Sequence, residues 1–366
     1  MKLDKILASA RDRLASDRAK RTIRAAERAL EARAWEEETV GIFREAIAGC
    51  RTAPLLIPPR SRRPAKGRLS ETAILCIGDS HVGKIVRPDA TLGFGNYNLD
   101  IFSHRAWHLA NVVSMLMEEK LSAPPRELVI FFLGDLVEGG LSHGAEIPSR
   151  ELVADQVLYA AHTFYQVIAR LSAIAPIRVR GIVGNHGRWP GMKKMPTEAR
   201  HSNLDFIVLG MIEAMAKLAL PDRVSMQVSR SAFHLEEVEG HRIKIGHGDS
   251  LRGGDKALGI PAHAIGREIN ATTQRYSARG ERPPAYYLVG DKHRKLEVPT
   301  ATGRFLINGA WFDGDEFALH SNFTPNAPHQ VFFGMDREIG KTWSYDVFLE
   351  RAKASHGFIY PEGIRG

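Results

Sequence analysis

Five apolar runs in this chain end in the same way, and that repetition narrows the fold more than any other feature. Ala73–Ile77 is followed by Gly78-Asp79-Ser80-His81, and Glu127–Leu133 by Gly134-Asp135-Leu136-Val137-Glu138. Ile177–Val183 leads into Gly184-Asn185-His186-Gly187-Arg188. Farther on, Arg242–Ile245 precedes Gly246-His247-Gly248-Asp249, and Tyr286–Val289 precedes Gly290-Asp291-Lys292-His293. Short apolar runs closed by glycine read as buried strands. The glycine permits a tight turn where backbone must come close to a ligand. The side chains after each glycine are carboxylate, imidazole or amide, the donors suited to Mn2+, Fe or Zn2+. One such segment is commonly a turn or a helix cap. Five of them, all at strand ends, are hard to obtain from folding requirements alone and together read as a metal site.

Helical patterns over Ser103–Lys120, Glu151–Ile174 and Leu204–Leu220 alternate with the first three strands. Strand, crossover helix, strand implies a mainly parallel sheet with helices on its faces. In such sheets ligands bind beyond the carboxyl ends of the strands, where these five segments lie. After Leu220 the chain is strand-rich, with Val224–Val228, Phe233–Val238, Phe305–Ile307, Val331–Met335 and Ser344–Leu349 added to the two strands named above. The expected fold is therefore α/β, with two sheets packed face to face and helices outside. Residues 320–366 are expected to complete the second sheet and to carry no chemistry.

Composition bounds the rest. The 366 residues are 44% hydrophobic, enough for a sizeable core, with no apolar run of membrane-spanning length. Cys50 and Cys76 are the only cysteines, which excludes a disulfide framework and any multi-thiolate zinc site and points to a reducing, cytoplasmic setting. Residues 1–70 hold 17 Lys and Arg against 9 Asp and Glu, whereas residues 71–366 hold 33 of each, so the net charge of +8 belongs to the N-terminal segment alone. Two readings of that segment stand: a basic arm for an anionic partner, nucleic acid first, or a solvated helical surface. The expected organisation is a basic helical segment over 1–52, a Pro- and Arg-rich linker over 53–70, a catalytic domain over 71–352 and a tail over 353–366. The N-terminal helix is also a candidate dimerisation element.

The order Asp-x-His, Gly-Asp, Gly-Asn-His, Gly-His and Gly-x-x-His, spread over about residues 71–310, resembles the calcineurin-like metallophosphoesterases. Finer details are similar to a bacteriophage and prophage branch: Asn96-Tyr97-Asn98, the Gly-Asn-His-Gly-Arg motif, the run from His247 to Gly254, and Asn308-Gly309. The motif set also resembles the nuclease side of the superfamily. The resemblance implies a four-layer α-β-β-α sandwich of two mixed sheets; the strong helix formers over residues 3–48 place a long helix or a helical hairpin before it. It implies two divalent cations, Mn2+ first, with Mg2+, Fe or Zn2+ as others. Asp79, His81 and His293 would hold the first cation, Asn185 and His247 the second, and Asp135 would bridge them. His186 would sit by the scissile phosphate, as general acid or as a charge stabiliser. Two cations ~3.5–4 Å apart activate a shared water and clamp a phosphate for in-line attack.

The last motif departs from the family's Gly-His-x-His, since Asp291 stands where the first histidine is usual. Either Asp291 supplies an oxygen to the second cation, making that position harder, or it points away. Arg188, Arg252 and His143 are candidate substrate contacts; for both arginines a structural ion pair is the other reading. The expected activity is hydrolysis of a phosphate ester, preferentially a phosphodiester of nucleic acid, with no membrane partner. A small-molecule phosphatase or nucleotide phosphodiesterase is the alternative, followed by a metal-stabilised scaffold without catalysis.

Overall fold

The computed structural model describes residues 71–140, 152–188, 202–251, 261–321 and 326–352, together with Phe358, Tyr360 and a set of positions between 16 and 41. Those N-terminal positions are α-helical. The rest of the predicted N-terminal helix, the linker, most of the tail, and the candidate contacts His143 and Arg252 lie outside the described residues. Among the described residues no helix is long and apolar enough to cross a membrane.

Two mixed sheets form the body. The first runs, in spatial order, β11 (Gly340–Phe348), β10 (His329–Asp336), β1 (Thr72–Ile77), β2 (Leu128–Phe132), β3 (Ile177–Gly181) and β4 (Val224–Val228). The second runs β5 (Phe233–Val238), β6 (His241–Gly246), β7 (Tyr286–Val289), β9 (Arg304–Ile307) and β8 (Leu296–Pro299). Strands β1 to β4 are parallel neighbours, as the alternation with helices requires. The helices are α1 (Leu99–Met115, continuing into a π-helical turn over Leu116–Lys120), α2 (Val153–Ser172), α3 (Leu204–Ala219), α4 (Ala262–Ala278) and the short α5 (Glu316–His320).

The uninterrupted apolar character of β1 and β2 comes from burial on both faces. Ala73, Leu75, Ile77, Leu128, Ile130 and Phe132 join one core with apolar residues of α1, α2 and α3. The alternate residues Ile74, Cys76, Val129 and Phe131 join a second core with Ile243, Ile245, Tyr286 and Leu288 of the other sheet. On the far side of that sheet, Tyr287, Val289, Phe305 and Ile307 pack with Ala264 and Ile265 of α4.

Two expectations are corrected, and two elements go unpredicted. Strands β10 and β11 extend the first sheet, because β10 pairs antiparallel with β1, Ile74 opposite Phe333. The backbone groups of the buried β1 need a hydrogen-bonded neighbour on each edge, and β2 fills only one. Strand β4 likewise belongs to the first sheet. Finally, α4 and β8 carry no clear sequence signal: α4 buries only Ala264, Ile265 and Thr272 and contains a glycine, so its apolar stripe is thin.

Candidate metal centre

All five glycine-ended segments lie at the carboxyl ends of their strands, three on the adjacent β1, β2 and β3 and two on the adjacent β6 and β7. Because the two sheets pack face to face, their loops converge. Three groups of side chains have donor atoms within 4.8 Å of one another: Asp79 with His81 and His293, Asp79 with Asp135 and His247, and His81 with Glu138 and His186. Asn185 and Asp291 complete the cluster, with Oδ1 of Asn185 3.1 Å and Oδ1 of Asp291 3.6 Å from Nε2 of His247.

The backbone is bent to bring them together. Asp79, His81, Asp135, Asp291 and His293 all have positive φ, between 43° and 67°. For a residue with a Cβ that conformation costs about 1–2 kcal/mol, so five such residues in one cluster mark a functional constraint. Two of the glycines are there for closeness. A Cβ on Gly184 would collide with the Asp135 carboxylate, and one on Gly290 with that of Asp79.

Hydrogen bonds aim the imidazoles. Nδ1 of His247 donates to the Leu133 carbonyl at 2.8 Å, and Nδ1 of His81 is 2.7 Å from Glu138 Oε2. Both Nε2 atoms are thereby turned into the cluster, that of His81 left as an acceptor and that of His247 facing the oxygens of Asp135 and Asn185. There His81 Nε2 meets Nε2 of His293 at 3.2 Å, and His247 Nε2 meets Asp135 Oδ2 at 3.0 Å. Asp79 is fully buried; its Oδ1 accepts from the Asp291 amide at 2.8 Å, while its Oδ2 has no hydrogen-bond partner. A buried carboxylate oxygen with no donor, beside imidazole nitrogens turned into the same cluster, is the donor set of a candidate cation site.

The electrostatics agree. Burial, with Asp135 and Asp291 alongside, pushes Asp79 well above the usual carboxylate range. Burial also presses on His247, but Asp135 outweighs it and holds the imidazole well above its ordinary pKa. The place between His247 and the carboxylates is one for positive charge. Burial and the adjoining His81 push His293 down to about 3, which keeps its lone pair free. Burial opposes charging of His186 as well, yet Asp135 and Glu138 raise it to about 9. Its side chain is 31% exposed, and that of His293 36%, so these two face the opening.

Four residues outside the predicted set brace the site. Glu138, in the same segment as Asp135 but given no role by the sequence, lies 2.7 Å from His81 Nδ1 and 3.5 Å from His186 Nδ1, and Lys84 backs it at 3.5 Å. Asp205, at the start of α3, is fully buried and accepts backbone N–H groups from both the Asp135 and the Gly184 loops. Gln330 of β10 accepts the Gly78 amide at 2.9 Å and so ties the first glycine-ended segment to that strand. Local sequence marks Asp205 only as a helix-start residue, and Gln330 not at all. Arg188 forms a backbone bridge with Asn203, and its Nε is buried without a hydrogen-bond partner.

No family model matches the chain, and no curated protein matches it. Among solved structures the chain is similar to Vps29 of Entamoeba histolytica complexed with Zn2+, with 11% identity, 75% of this chain and 99% of that chain covered, and a TM-score of 0.31. It is similar to an archaeal phosphodiesterase, with 9% identity, 75% and 99% covered and a TM-score of 0.33. A predicted phosphoesterase from Streptococcus pneumoniae gives 10% identity, 76% and 99% covered and a TM-score of 0.27. Likenesses this distant carry no argument, and the functional reading rests on the site itself.

Proposed function

We propose that the chain is a phosphoesterase that works with two divalent cations, and that its substrate is a phosphodiester of nucleic acid. The observation that carries the reading is the buried, partnerless Oδ2 of Asp79 beside imidazole nitrogens that hydrogen bonds at Nδ1 turn into the same cluster. Asp79, His81 and His293 would hold one cation and Asn185, His247 and Asp291 the other, with Asp135 shared. Oδ1 of Asp291 faces the second group, which favours ligation over the alternative that it points away. Its carboxylate makes that position harder and suits Mn2+. The order helix, sheet, sheet, helix in the packed cores is in keeping with the four-layer sandwich that the resemblance implies.

The chemistry such a pair supplies when bound is activation of a shared water and neutralisation of phosphate charge. The chain's own residues do the rest. His186, partly exposed and held protonated by Asp135 and Glu138, is placed to donate a hydrogen bond to the phosphate and a proton to the leaving oxygen. Glu138 orients both His186 and His81. Arg188, one residue beyond Gly187, carries a planar fork suited to a phosphate. Nucleic acid is preferred over smaller esters because the basic surplus of residues 1–70 strengthens binding to any polyanion.

The test is hydrolysis of bis-p-nitrophenyl phosphate and p-nitrophenyl phosphate with Mn2+, followed by DNA, RNA and nucleotides. Asp135→Asn and His186→Ala should each lower the diester rate by about 100-fold or more. A wild-type rate in either variant, or no turnover by the wild type on any of these substrates, overturns the reading.

A further inference from the structure

The side chain of Asp205 is fully buried, yet among the described residues it pairs with no Lys or Arg; its partners are amides. Its Oδ2 accepts the N–H of Asp135 and the N–H of Gly184, both at 2.8 Å. Its Oδ1 accepts from Leu136 at 3.0 Å and from Val137 at 3.3 Å. One carboxylate thus ties the loop after β2 to the loop after β3. Asn203, the N-cap of α3, supports the tie: its Oδ1 accepts the Asp205 amide at 2.8 Å and its Nδ2 donates to the Gly184 carbonyl at 3.0 Å. The adjacent amide of Leu204 donates to the Gly187 carbonyl at 2.7 Å, so the first turn of α3 grips the second loop at two points. The loops it joins carry Asp135 on one side and Asn185 and His186 on the other, and Asp135 Oδ1 accepts the His186 amide at 2.8 Å.

A carboxylate is a costly brace here. It stands beside Asp135, another buried carboxylate, and burial with that neighbour raises its pKa to about 6. A neutral side chain would avoid that repulsion. A neutral side chain lacks the acceptor capacity, however, since two carboxylate oxygens take four N–H groups and an amide oxygen takes about two. The residue type is therefore explained by the amides it must hold.

We propose that Asp205 is a positioning residue of the metal centre, setting the separation between the shared Asp135 carboxylate and the Asn185–His186 pair. The assignment rests on the two-cation reading and adds to it a residue that touches neither cation nor substrate.

The experiment uses the full chain, stripped with chelator and titrated with Mn2+ by calorimetry well below its melting temperature. Asp205→Asn is nearly isosteric but sets an NH2 group against backbone donors. Mn2+ affinity should fall about 10–100-fold, the range usual for residues that orient ligands. With bis-p-nitrophenyl phosphate kcat should fall and KM change little. Asp205→Glu keeps the charge and both oxygens and should recover part of the affinity; it also serves if Asp205→Asn does not fold. Met215→Ala, a core residue at the far end of the same helix, controls for lost stability and should lower Tm with Mn2+ affinity unchanged. Wild-type affinity and kcat in folded Asp205→Asn, or in folded Asp205→Glu should the asparagine variant not fold, would overturn the role of Asp205 alone. A wild-type chain that binds no Mn2+ would overturn the two-cation reading and this one with it.

Discussion

Two clusters of charge lie between the same two sheets, and they are built on opposite rules. At the start of β3, Arg178 donates to Glu127 at 2.6 Å and to Glu236 of β5 at 2.7 Å, and farther along the same strand Arg180 donates to Glu236 at 2.5 Å. Two guanidinium groups meet two carboxylates, and none of these residues has a positive φ. At the other ends of the strands, Asp79, Asp135, Asp291, Glu138 and Asp205 crowd around histidines, with one carboxylate oxygen partnerless and five residues in left-handed conformations. Charge that is matched within the fold fastens the sheets together. At the candidate metal centre Lys84 and Lys292 match Glu138 and Asp291. Among the described residues Asp79 and Asp135 pair with no Lys or Arg, and that charge, on strained backbone, is held for something that binds.

That contrast breaks most readily at Glu236. Replacing it with alanine leaves Arg178 and Arg180 without their shared carboxylate. The loss should be about 2–3 kcal/mol, less than for a fully buried pair because the arginines keep some contact with water. Urea unfolding measures it, and an unchanged midpoint would mean that the cluster does not fasten the sheets.

The opposite sign is expected at the metal centre. Asp291→Gly removes a side chain from a backbone at φ 67°. Chelator-treated protein should gain about 0.5–1 kcal/mol after the added chain entropy of glycine is subtracted, while Mn2+ binding weakens. Thermal unfolding with and without Mn2+ reads both effects. A loss of stability in chelator would show that no strain is stored there.

Acid sharpens the same comparison with a smaller effect. Burial pushes Glu236 up, but His234, Arg180 and Arg178 outweigh it and hold it at about 2, against an ordinary 4.5. The folded pKa lies below the unfolded one, so the stabilisation is complete above about pH 4.5 and is lost as pH falls toward 2. Between those values Tm should fall more steeply in wild type than in Glu236→Gln. Parallel profiles would mean that Glu236 carries none of the acid sensitivity.

Much of this is legible in the chain alone. Val224–Val228, Phe233–Val238 and Tyr286–Val289 are strands with the bounds their apolar runs predict. Asp79, His81, Asp135, Asn185, His186, His247, Asp291 and His293 do come together, since each rides on a strand-and-glycine unit that sends its side chain to the same end of a sheet. Carboxylate, imidazole and amide after a strand-ending glycine form a local pattern, so both the residue types and their placement appear in the chain itself. Tertiary structure alone decided that β10 pairs with β1, because an apolar strand advertises its buried faces and not its neighbour. It alone revealed Asp205 and Gln330, which brace loops far away in the chain. A backbone N–H accepts any oxygen that reaches it, so the residue that supplies that oxygen bears no mark in the sequence.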